Sequence, residues 1–448
     1  METLGEPTSE EVMYRVFAAE YLGAEGDLQG AVGEYLEAAI ESDDPAIARR
    51  ATRVAFAAEA WQEAVMAADR WALIEPDNVA AHESAAAAML QVADYLGAEY
   101  HIMRILDLME DEIVNNGPVV GALEAARMAM DNPNFYKVTL KNFATPWTNR
   151  DQDVFVPLND YSATVIGMVR DNVPFTELLS ADLVYVADPV LGLSPYSTTD
   201  NVHYRQLEDG NYSLKDHLVA TTQSSVSGLP PAATAGVMTS RAAAAEFFVA
   251  GTNRAMFRFT LMNHMCNDME QMLDTKLPPD WIRQDVSRSP GGDSRLFLNN
   301  CVGCHTGMDP MAQAFAYYDY NVDTGSIEYT EGTVQPKYFN NDLNFPQGFR
   351  TPNDDWENYW RIGQNRHLGW DPALPGRGQG AKSMGQELAN SQAFAQCQVK
   401  KVFRTVCLRE PEDQTDRDEV NTIVGTFTGT GYRMKQVFAD TAAYCMGQ

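Results

Sequence analysis

The chain has 448 residues, 62 of them acidic and 33 basic, for a formal net charge of −29 with histidine neutral. That length predicts two to three domains with ample core. The charge argues against nucleic acid and anionic membrane surfaces as partners, because like charges repel within the Debye length. No apolar run approaches the roughly 18 residues needed to span a bilayer, so no transmembrane segment is expected.

Met1–Glu6 does not have the pattern of a secretory leader. Residues 1–115 are rich in alanine and read as helical throughout. Ala31, Ala64 and Ala98 recur at intervals of 33 and 34 residues, each at a small-residue position of a second helix. Gly26-Asp27 supplies a turn between helices, and Glu75-Pro76-Asp77-Asn78 closes a second unit with Asp77 or Asn78 as the next cap. The pattern over about residues 8–112 resembles tetratricopeptide repeats, which bind a peptide or protein in a groove and do no chemistry. A plain helical bundle is the alternative. Asn115-Asn116-Gly117-Pro118 is a strong turn signal and marks the expected boundary of this region.

Residues 118–290 and 291–448 are expected as two further domains, in which short helices alternate with loops rich in Asn, Asp, Pro and Gly. Helices are expected at about 120–131, 133–143, 160–170, 174–186, 240–274, 300–318, 354–363, 382–409, 414–428 and 431–446, and strands only near 325–338. The fold class is therefore mainly α: helical-hairpin repeats followed by a loop-rich helical region.

Cys301-Val302-Gly303-Cys304-His305 is a CxxCH sequence, the attachment signal for c-type haem. Thiols three residues apart stand about one helical turn apart and reach two vinyl groups on one porphyrin edge. The histidine that follows is placed to ligate the iron from one face. Zinc would need further ligands, and no second CxxC or HxxxH occurs. One covalent haem c is the expected cofactor. It is attached outside the cytoplasm, so the location is expected to be periplasmic or extracellular, with the leader absent from this chain.

Arg283, Arg288 and Arg295 precede the motif and are the expected partners of the haem propionates, since guanidinium binds carboxylates bidentately. Surface charge pairing is the alternative. For the distal iron ligand, Met384 in the expected loop Gly380–Gly385 is favoured. His367 and His264 are alternatives, as is an open sixth position. Met308 and Met311 follow His305 too closely on one helix to cross the porphyrin plane.

Cys266, Cys397, Cys407 and Cys445 remain. Cys397 and Cys407 fall ten residues apart on one expected helix, about 15 Å and beyond disulfide reach. If oxidised, one pairs most simply with Cys266 and the other with Cys445. Four buried free thiols are the alternative.

The segment Cys301–Pro310, with Asp309-Pro310 after the CxxCH and Asp319 further on, resembles the haem-binding segment of planctomycete-type cytochrome c families of unknown function. Pro174–Asp182, Gly236–Thr239 with Asn253-Arg254, Phe394–Cys397 and the helix from Tyr432 to Tyr444 resemble other stretches of that family. The likeness spans roughly 120–448; Ala312 and Ala316 depart from its usual Gly and Glu. It implies an exported, redox-linked protein and names no substrate.

The expected function is an exported monohaem cytochrome that transfers electrons to a redox partner, basic in view of the chain's charge. The repeats would dock a peptide or protein. The alternatives are a peroxidase-like or oxidative haem enzyme with an open distal site, and a repeat scaffold with a structural haem. No Ser-His-Asp set, P-loop or dinucleotide turn is present.

Overall fold

The computed structural model describes residues 9–249, 251–338 and 343–446. The chain is mainly helical, as expected, and folds as two compact units, Met1–Asn132 and Pro133–Gln448. No helix among the described residues is long and apolar enough to cross a membrane. The question of a leader lies in residues 1–8, outside the described residues.

The first unit is a run of helical hairpins: α1 (Glu10–Ala24), α2 (Leu28–Glu41), α3 (Pro45–Ala57), α4 (Trp61–Ile74), α5 (Val79–Gln91), α6 (Tyr95–Asn116) and α7 (Pro118–Asp131). Each helix packs on the next in the chain. Ser9, Asp27, Asp44, Asn78 and Asp94 cap helices by accepting a bond from a first-turn amide. Such a cap is worth about 1 kcal/mol. Ala31, Ala64 and Ala98 fall on α2, α4 and α6 and are almost wholly buried, so the second helix of each hairpin approaches its neighbours closely. Tyr35 and Trp71 share one buried cluster with other alanines, among them Ala39, Ala48, Ala67 and Ala81.

The turn signal at 115–118 is real but internal to the unit. Gly117, at φ 81°, ends α6 in a conformation that favours glycine, and Pro118 opens α7. Because α7 packs against α6, the unit runs on to Asn132.

The expected division near residue 290 does not separate compact units. The helix Arg254–Met265 packs both on Val302–Ala312 and on Gln392–Cys407, which interleaves the two expected domains. One of two disulfides reinforces this arrangement. Cys266, at the end of the first of these helices, is bonded to Cys397, with Cα atoms 5.2 Å apart. Cys407 is bonded to Cys445 across 5.6 Å.

Among the described residues of the unit are three antiparallel two-stranded ladders: β1 (Val184–Ala187) with β2 (Leu218–Thr221), β3 (Tyr318–Asn321) with β4 (Ser326–Tyr329), and β5 (Asp355–Glu357) with β6 (Arg377–Gln379). Only the second lies near the expected strand region. The helix expected over 174–186 is instead a short 3-10 turn, Phe175–Leu179, followed by β1. The helix expected over 240–274 is broken into Arg241–Phe247 and Arg254–Met265. Asn253 sets the start of the second: it sits at φ 56°, and its side-chain amide donates to the carbonyls of Phe315 (2.9 Å) and Tyr318 (2.8 Å).

Candidate functional site

Cys301 ends a π-helical turn, Phe297–Cys301, that runs directly into the helix Val302–Ala312. Cys301, Cys304 and His305 therefore stand at i, i+3 and i+4, on one face of a helix. Both thiols are partly exposed and unbonded, whereas the other four cysteines form disulfides. Cys301 packs beside Ile282, Phe297 and Val302. The Cys304 sulfur approaches the carbonyl of Met269 at 3.5 Å, and burial pushes its thiol above the ordinary value.

The helix is held from behind by two contacts. Gly307 lies against the indole of Trp360, where a Cβ would overlap the ring. Thr306 Oγ1 donates to the carbonyl of Asp274 (2.7 Å), and the amide of Asp274 returns a bond to Gly303 (3.0 Å).

His305 is seated on Asp309, one turn further along. Its Nδ1 lies 3.0 Å from Asp309 Oδ2, and that carboxylate side chain is completely buried. An ionised carboxylate can only accept, so His305 donates to it through Nδ1, which leaves Nε2 as the nitrogen free to act as a ligand in the neutral ring. Asp309 in turn receives Arg254, through Nε at 2.8 Å and Nη2 at 3.2 Å, with Arg283 Nη2 at 3.9 Å. Arg254 also grips Asp285 at 2.8 and 3.2 Å. Burial opposes ionisation of Asp309, but the Arg254 and Arg283 charges and the His305 bond outweigh it and hold the group well below the usual carboxylate range.

The expected propionate partners are placed otherwise. Arg283 is buried, bonded to Thr252 Oγ1, and belongs to the cation pair around Asp309. Arg288 donates to the carbonyls of Ile282, Arg283 and Val286 and lies over the rings of Phe297 and Phe345, so it stitches a loop together. Only Arg295 is exposed, forked on the carboxylate of Asp293.

The three distal candidates are equally unlike one another. Met384 is not in a loop: it is fully buried within the helix Gly380–Ala389, which packs on Phe175–Leu179 and Gln313–Phe315. A helix forms there because Gly380, at φ 71°, ends β6 and turns the chain inward. His264 is a core residue. Its Nε2 is 2.6 Å from the Tyr161 hydroxyl, its ring is enclosed by Trp147, Tyr161 and Phe394, and burial holds it well below its ordinary pKa.

His367 is exposed on the 3-10 turn Gln364–Leu368, with Nδ1 donating to the carbonyl of Gln364 (2.6 Å). That turn is tied to the motif through a shared segment. Asn365 Nδ2 donates to Met272 (2.8 Å), Gln364 Nε2 to Leu273, and the segment ends at Asp274, which bonds Gly303 and Thr306. His367 is thus joined to the motif through Gln364, the segment Met272–Asp274 and Thr306, and His264 through its own helix by way of Arg254 and Asp309.

The residues present suit a covalent haem. Two unbonded thiols and an imidazole with a fixed tautomer share one helix face. Leu273, 42% exposed, lies beside the helix at Gly303, an apolar side chain that a porphyrin would cover. Among the described residues, no cluster of three or more His, Cys, Asp and Glu is placed to hold a metal ion by itself.

The role of Asp309 was not legible as a function, although the spacing His-x-x-x-Asp on a helix is the signal that would have exposed it. Arg254 and Asp285 had no such signal, because their contacts are set by tertiary packing. No family model matches the chain, and a search of curated proteins finds no match either.

Proposed function

We propose that this protein is an exported monohaem c-type cytochrome that passes electrons to a basic partner, with the N-terminal hairpins serving as a docking module. The single observation that supports it best is the helix face on which Cys301 and Cys304 stay unbonded beside a histidine anchored by a buried aspartate. A haem bound there would supply one reversible single-electron step. Cys301 and Cys304 would carry the thioether bonds and His305 would ligate through Nε2. Leu273, exposed beside Gly303, would shield the bound group from water, and His367, exposed on a turn tied to the same segment, would serve as a second ligand.

Two disulfides fit an oxidising compartment. The hairpin unit is strongly acidic, and no lysine precedes Lys137. On α1, Tyr14, Phe17 and Tyr21 stand exposed at helical spacing beside Glu10 and Glu20. Aromatic anchors framed by carboxylates suit a cationic partner.

The test is the response of the reduced, haem-loaded protein to carbon monoxide. The expected result is a spectrum that carbon monoxide leaves unchanged, and one that His367→Ala makes sensitive. Ready binding by the wild type, with peroxide turnover, would replace the electron carrier with a haem catalyst.

A further inference from the structure

Metal-ligating histidines are oriented and tuned by whatever accepts the proton on the other ring nitrogen. In this chain that acceptor is a carboxylate, and it is unusually well built. Asp309 is one helical turn from His305, completely buried, and reached by His305 Nδ1 at 3.0 Å. It is not simply neutralised by a single cation. Arg254 is divided between Asp309 and Asp285, and Arg283 approaches both, at 3.9 and 3.5 Å, so two carboxylates face two guanidiniums. The charge of this cluster is balanced, and its nearest outlet is the His305 ring.

We propose that Asp309 is the positioning residue that fixes the His305 ring by Nδ1, presents Nε2 to the iron, and lowers the reduction potential of the site by making the imidazole a stronger donor. This rests on the haem reading given above. A neutral carbonyl in the same place would orient the ring equally well but would enrich it less. A more basic axial donor favours the oxidised iron, which is why the potential is the property to read.

The balanced cluster gives predictions of opposite sign. Asp309→Asn keeps the shape but removes the negative charge under the ring, and it is expected to shift the midpoint potential upward. Arg254→Gln leaves Asp309 less compensated and is expected to shift it downward. Glu387→Gln, at a buried ion pair with Arg361 elsewhere in the unit, is expected to leave it unchanged. All three are compared with wild type by redox titration of the exported, haem-loaded protein.

Shifts of Asp309→Asn and Arg254→Gln in one direction, or no shift in either, would overturn the inference. Because either variant can fail to fold, the wild type carries an independent readout. In reduced protein labelled with nitrogen-15 at histidine, the Nδ1 proton of the ligating ring is expected to exchange slowly with water, since its acceptor is buried. Rapid exchange would overturn the inference too. Absence of covalent haem in the wild type would remove the haem reading and the inference with it, whereas equal potentials among haem-loaded proteins would remove only the inference.

Discussion

At His82, Nε2 lies 2.9 Å from the carbonyl of Pro76, which can only accept, so this nitrogen carries the proton. Its Nδ1 faces His101 Nδ1 at 2.8 Å, and the other nitrogen of His101 lies 2.8 Å from Asp69 Oδ1. Burial holds the His82 ring below its ordinary pKa, because the charged form loses its water. A histidine with a depressed folded pKa stabilises the fold fully above the unfolded value of about 6.5 and loses that contribution as pH falls through the folded value. Thermal stability of the chain is therefore expected to fall from pH 7.5 to 5.5, and His82→Gln to flatten that slope. An identical slope in the variant would refute the assignment. None of this could be read from the sequence, in which His82 and His101 are two isolated residues on different helices. His305 was legible because its chemistry is written in five consecutive residues. His264 and Met384 were misleading because a residue type says nothing of which core will enclose it.

Among the elements, legibility followed local signals. The helices Asp160–Arg170 and Gln414–Gly429 match expectation because each has a capping residue, Asn159 and Asp413, before a periodic run. The run expected over 382–409 splits because Ser391 caps a new helix by accepting from the amide of Phe394 (3.1 Å). Strands β1, β2, β5 and β6 went unseen: at three or four residues they are too short to show an alternating pattern. Their pairing is made by distant partners, such as Val184 with Thr221. The cysteines were more informative, because ten residues of helix forbid a Cys397–Cys407 bond, and the pairs found are those the simplest alternative required. Cys266–Cys397 closes 131 residues of chain. Replacing both by serine is expected to cost about 4–5 kcal/mol in the chain-entropy view. Chemical denaturation of the haem-loaded protein would measure it, and a cost below about 1 kcal/mol would mean that the bond does not constrain the unfolded chain.

At the scale of the whole molecule, two compact units divide the work proposed for them. The acidic hairpin unit offers exposed aromatic side chains on α1. The second unit holds both disulfides and, on one helix face, the unbonded thiols with His305. The mainly helical class and the hairpin character of the first unit were legible because they rest on composition and period. The extent of the units was not. A turn such as Asn115–Pro118 looks the same in sequence whether it separates two domains or two packed helices. The merging of 118–290 with 291–448 is made by packing across the expected boundary: Arg254–Met265 lies on Val302–Ala312 and Gln392–Cys407, and Gly380–Ala389 lies on Phe175–Leu179. The claim on which the functional account stands is that Cys301 and Cys304 hold haem covalently. It is tested most directly by exporting the protein from a host that attaches haem, and staining a denaturing gel for the cofactor beside the Cys301→Ser/Cys304→Ser variant. The account predicts a haem-stained band at the mass of the chain that is absent from the variant; a wild type without haem, or a variant that keeps it, would contradict it.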